Sequence, residues 1–65
     1  MNQLTFNKIC VVVGTVNNVE ETKTFHPGQV YEATLVIDQG DNLFVTFADG
    51  FSSNQVPKDS VTVSE

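Results

Sequence analysis

One histidine, one cysteine and eight carboxylates are the side chains of this 65-residue sequence best suited to proton transfer, nucleophilic attack or metal ligation. His26 stands immediately before Pro27-Gly28, which places it on a turn. A general base needs an oriented partner and a pocket, and a lone imidazole on a turn has neither beside it. His26 therefore reads as a loop residue. Cys10 lies between Ile9 and Val11 in an apolar run, with Lys8 the one cation close by. That is the setting of a small buried hydrophobe rather than of an activated thiolate. Asp38, Asp41 and Asn42 around Gly40 put oxygen ligands on a tight turn, as a hard cation requires. The ligand spacing and closing glutamate of a calcium loop are absent, which leaves a hairpin turn. With no second cysteine or histidine there is no internal disulfide and no zinc site. The expectation is a non-catalytic chain without metal or cofactor, in a reducing, cytoplasmic setting.

The charge map points to a partner class. Three lysines and no arginine face eight acidic residues, for a formal charge of -5. No cation falls between Lys23 and Lys58, whereas Glu32, Asp38, Asp41 and Asp49 do, and Glu20 and Glu21 come just before that window. Phosphate binding draws on clustered basic groups that displace counterions, so direct nucleic-acid binding is not expected. The acidic surface serves either solubility or contact with a partner. The N-terminus lacks a basic stretch, and the apolar run Ile9 to Val16 is far short of the roughly 20 residues of a membrane helix, so neither an export signal nor a membrane span is expected.

The elements that must position these residues are strands. β-Branched and aromatic residues dominate, and no window sustains a helical apolar stripe. Ile9 to Val16 and Val19 to Phe25 form a hairpin about Asn17-Asn18, since asparagine tolerates positive φ. After His26-Pro27-Gly28, the segment Gln29 to Asp38 alternates, with Tyr31, Ala33, Leu35 and Ile37 expected inside and Val30, Glu32, Thr34 and Val36 outside. Gln39 to Asn42 is a turn, and Leu43 to Asp49 returns with Leu43, Val45 and Phe47 on one face. Asp49-Gly50 turns again, Phe51 to Val56 is a short strand, Lys58-Asp59-Ser60 is a single turn, and Val61 to Val63 closes the chain. A chain of 7.1 kDa exposes about 4,100 Å² when folded, burying about 60% of its unfolded surface, which is one core. The whole of residues 1–65 is expected to be one all-β domain, a small five- to six-stranded closed barrel.

From Thr22 onward the order of these signals resembles an SH3 domain. Lys23-Thr24-Phe25-His26-Pro27-Gly28-Gln29 is similar to the family's Leu-Ser-Phe-x-x-Gly-Glu stretch, and Val56-Pro57-Lys58-Asp59-Ser60-Val61 to its Pro-Ser-Asn-Tyr-Val element ahead of the last strand. Ile9 to Thr24 corresponds to the first strand and the long RT hairpin. Phe47-Ala48-Asp49-Gly50 also resembles a Tudor strand end, so the resemblance is to the SH3-like barrel superfamily. Proline-rich ligands dock on SH3 domains between flat aromatic faces. Here Val11, Val12 and Val13 replace the first aromatic pair, Leu43-Phe44 replaces paired tryptophans, and Ser60 replaces the groove tyrosine, which removes that mode. A Tudor-type cage needs several aromatic walls round a cation, and Phe25, Tyr31, Phe44 and Phe51 are expected in core or interface roles instead. Dihydrofolate reductases built from such barrels carry a Val-Gln-Ile-Tyr strand, and Asn54-Gln55-Val56-Pro57 lacks its Ile-Tyr.

One strand carries more apolar surface than a single barrel interior uses. Ile9, Val11 and Val13 lie on one side, and Cys10, Val12 and Val16 on the other, with Val30, Val36 and Phe44 adding outward apolar groups. Either another copy or a partner covers the second face, or the Leu4 to Phe6 segment folds over it. The resulting expectation is a small standalone accessory protein, of the kind phages and plasmids encode. It would bind a protein through Glu20, Glu21, Glu32, Asp38, Asp41 and Asp49 together with Phe44 and Phe51, with a homo-oligomer as one form of that contact. The alternatives are an acidic inhibitor presenting carboxylates in place of phosphates and a small nucleic-acid-binding barrel that stacks bases on Phe44 or Phe51.

Overall fold

The computed structural model describes all residues, Met1–Glu65. Its strands are β1 (Asn2–Phe6), β2 (Cys10–Val16), β3 (Val19–Phe25), β4 (Val30–Asp38), β5 (Asn42–Phe47), β6 (Ser52–Pro57) and β7 (Val61–Ser64), with one 3-10 turn at Lys58–Ser60. They form one antiparallel sheet in the order β3-β2-β6-β5-β4-β1-β7. The all-β class is as expected, but the architecture differs in two respects. There are seven strands instead of five or six, and the ladder is not closed, because β3 and β7 are its two edges. The additional strand is β1. Leu4 and Phe6 alternate with polar neighbours over too short a span to stand out in the sequence. The segment becomes a strand because β4 and β7 pair with its backbone on either side.

The β2–β3 hairpin turns where the sequence places it, with Asn17 at φ 52° and Asn18 at φ 66°. Positive φ at both central residues gives a two-residue turn whose twist matches the flanking strands.

The core is a phenylalanine cluster closed in by aliphatic side chains. Phe25 at the end of β3 is fully buried and stacks between Phe6 and Phe47 at centroid distances of 4.8 and 4.9 Å, with the Tyr31 ring edge-on at 4.8 Å. Leu4, Cys10, Val12, Ala33, Leu43, Val45, Phe51 and Val56 complete the interior. The exposed area, 4061 Å², agrees with the value of about 4,100 Å² for a compact monomer of this mass.

On β5 the buried set is Leu43, Val45 and Phe47, as the alternation predicts. On β4 the expectation holds only halfway. Ala33 is buried and Tyr31 half-buried, but Leu35 and Ile37 face solvent and Val36 packs on the core. The ladder explains this reversal: Ala33 pairs with Phe47 and Leu35 with Thr46, so Thr34 is an extra residue in a bulge. One inserted residue turns every later side chain to the opposite face.

β2 joins the rest of the sheet through β6, where Thr15 is in register with Ser52. The junction is tight at Gly14, where a Cβ would meet the Ser52 carbonyl oxygen at 2.3 Å and the Phe51 ring at 2.7 Å. The buried Ser53 hydroxyl ties it further, donating to the Val13 carbonyl at 2.6 Å and accepting the Gln55 N–H at 3.0 Å.

Candidate functional site

The fold distributes the six acidic residues singled out in the sequence over three places. Glu20 and Glu21 are on the edge strand β3, opposite Thr15 and Gly14 near the hairpin tip. Glu32, at the start of β4, and Asp49, in the turn after β5, line one cleft together with Lys23. Asp38 and Asp41 lie at the far end of β4, about 20 Å along the strand from Glu32.

The lysines that bracket the cation-free window fold back onto it. Lys58 Nζ reaches Asp38 Oδ2 at 2.6 Å, and Lys23 pairs with Asp49. Both carboxylates are also turn acceptors: Asp38 Oδ1 takes the Gly40 N–H at 2.9 Å, and Asp49 Oδ1 the Phe51 N–H at 3.0 Å. Hydrogen bonding from Lys58, then from the Gly40 amide, holds the Asp38 carboxyl below its ordinary range. Lys23, then the Phe51 amide, does the same for Asp49. Asp38 in turn raises the Lys58 ammonium. Among the six, Glu20, Glu21, Glu32 and Asp41 form no ion pair, so a carboxylate mimic of phosphates would have those four, split among the three places.

The two aromatic candidates separate. Phe51 is 1% exposed and belongs to the core, so it leaves the contact surface. Its burial follows from the turn: Asp49 captures the Phe51 amide, and Phe51 returns its carbonyl to the Phe47 N–H at 2.8 Å, which draws the ring inward. Phe44 is half-buried on the outer face of β5, directly across from Ile37. The bulge adds Leu35 and Ile37 to this face, while Ile9, just before β2, and Val11, within it, are exposed. β1 does not cover this surface, because Leu4 and Phe6 enter the core on the opposite side of the sheet. The second apolar face is thus left uncovered within the chain.

The cleft holds about 260 Å³ between Lys23 of β3, Val30, Tyr31 and Glu32 of β4, and Phe47 to Asp49. The Lys23 ammonium lies 5.8 Å from the Phe25 ring centre and 5.6 Å from that of Phe51, a cation over aromatic faces. Lys23 and Phe25, two apart on one strand, share a face, and that much is visible in the sequence. The Asp49 partner, 26 residues away, is not.

The cysteine and the histidine lie outside the cleft. Cys10 is buried, its thiol 3.5 Å from the Lys8 carbonyl oxygen. His26 is exposed, its backbone N–H donating to the Tyr31 hydroxyl at 2.9 Å. No group of three His, Cys, Asp or Glu side chains is placed to hold a metal ion, the Asp38–Asn42 turn included. No helix is long and apolar enough to cross a membrane. Comparison with family models, with curated proteins and with solved structures finds no match to this chain.

Proposed function

We propose that this chain is a small protein-binding module that acts by contact and not by catalysis. The carrying observation is that Val11, Leu35 and Ile37 are exposed and Phe44 half-exposed after a separate set of residues has filled the core. Single exposed apolar residues are ordinary. Here the Thr34 bulge places Leu35 and Ile37 on one face of β4, and Ile37 faces Phe44 across the ladder. Accessible apolar residues paired across the ladder in this way are what an interaction surface uses. The net charge of -5 steers approach more than it sets affinity.

The SH3-like reading of the architecture draws support from the long β2–β3 hairpin and from the 3-10 turn at Lys58–Ser60 directly before the last strand, both elements that the resemblance implies. Contact with a second copy is the homo-oligomeric form of the same function.

The test is site-specific photo-crosslinking in the source cells, with the photoreactive residue at Val11 or Ile37 and, as a control, at Thr62 on β7. Discrete adducts from the first two positions that disappear with Phe44→Glu support the proposal, and an adduct of twice the chain mass identifies a second copy. Adducts no more frequent than those from Thr62 would overturn it.

A further inference from the structure

We propose that the cleft between β3, the start of β4 and the β5–β6 turn receives a cationic side chain, lysine or arginine, from a partner protein. The proposal rests on the protein-binding reading for the source of that side chain, but its chemistry stands on the cleft alone.

Size comes first. At about 260 Å³ the cleft lies below the roughly 300–1,000 Å³ of small-molecule sites, and its scale suits one long side chain. Its walls are of two kinds. Val30, Ala48 and the half-buried Tyr31 offer apolar surface, which suits the methylene stem of a basic residue whose charged end stays near water. The polar groups are Lys23, Asp49 and Glu32.

Charge then selects the ligand. Lys23 and Asp49 satisfy each other, so Glu32 is the carboxylate of the cleft without a cation. An incoming anion would have to lie beside Glu32 and compete with Asp49 for Lys23. An incoming cation finds among the lining residues one carboxylate without an ion-pair partner, Glu32, and apolar surface beside it. The fold already uses this combination once, since the Lys23 ammonium rests over Phe25 and Phe51 and pairs with Asp49. The net charge of -5 raises the local concentration of cations around the site.

The experiment is an NMR amide-shift titration of the isotope-labelled whole chain with the Nα-acetyl methylamides of lysine and arginine. The norleucine and glutamate analogues are the controls. The expected result is saturable shifts confined to residues 30–32 and 47–49, with the cationic probes binding at least about tenfold more tightly than norleucine. Glu32→Gln should weaken the cationic probes about tenfold. Glu32 is exposed, so the substitution is compatible with an unchanged fold, which shifts outside the cleft report directly. Ala48→Phe, at an exposed turn position, should block the cleft by size. The proposal is overturned if neither cation saturates the cleft up to about 100 mM, a range in which a millimolar site is filled. It is equally overturned if norleucine or glutamate binds as well, or if Glu32→Gln changes nothing. Because the probes are free amino-acid derivatives, the outcome is independent of whether crosslinking finds a partner on the outer face.

Discussion

Gly14→Ala is expected to unfold much of this protein's stability margin, and the structure says by how much. The added methyl would sit 2.3 Å from the Ser52 carbonyl oxygen, 2.7 Å from Phe51 Cζ and 2.9 Å from Ser53 Cβ. Two of these neighbours cannot swing aside, one being backbone and the other a core ring. Relief therefore requires β2 to withdraw from β6 by about 1 Å, against core packing that resists overfilling at about 1–3 kcal/mol. That withdrawal also breaks the hydrogen bond from the Ser53 hydroxyl to the Val13 carbonyl, now 2.6 Å, at a net cost of about 1 kcal/mol. Loss of glycine's freedom in the unfolded chain returns about 0.4–1 kcal/mol. The net is a destabilisation of about 1–4 kcal/mol, in a chain whose length implies a total of about 3–10 kcal/mol. For a domain this small that lowers the midpoint by about 5–30 °C. Thermal melts followed by far-UV circular dichroism, with urea titrations to check that the m-value is unchanged, measure it. A midpoint within a few degrees of the parent, or above it, would refute the reasoning, since β2 would then not be held against β6 at Gly14.

Two further outcomes follow from the core and the ion pairs. Phe25→Ala removes the ring stacked between Phe6 and Phe47 and should cost about 3–5 kcal/mol, a large part of that total, which a urea titration reads out as a lowered midpoint. The pH dependence follows from Asp38 and Asp49, both held below the ordinary carboxyl value of 3.8. Groups with a depressed folded-state pKa add stability that is present above the unfolded value and is lost as pH falls through the folded one. Lys58, raised above 10.5, adds stability below that value and loses it as pH rises further. The pairs thus act fully between about pH 5 and 9. The double variant Asp38→Asn, Asp49→Asn should flatten the acid limb of the midpoint-versus-pH curve below pH 5, and an acid limb identical to the parent's would count against the pairs.

Much of the local structure was legible because it depends on neighbours in sequence. Asn17-Asn18 turns because both residues accept positive φ, Leu43, Val45 and Phe47 face inward because strand side chains alternate, and the 3-10 turn follows Pro57. The failures are non-local. Alternation in the sequence continues through Thr34 and points Leu35 and Ile37 to the core, whereas the bulge there exists only in the ladder with β5. Leu4 to Phe6 became a strand because two distant segments pair with it. The acidic stretch looked continuous in the chain but is divided in space, and its bracketing lysines neutralise two of its members.

Residue types and their order suffice for the all-β class, the positions of the turns, and the shortage of free cations. These follow from backbone preferences of single residues and from counting charges. The tertiary structure decided which apolar residues were left over once the core was full, that Phe51 is among the buried rings, and that Lys23 brings Asp49 to a cleft containing Glu32. Each depends on strand register or on a partner distant in sequence. One residue of bulge is enough to move Leu35 and Ile37 from the core to the surface that the proposed function uses.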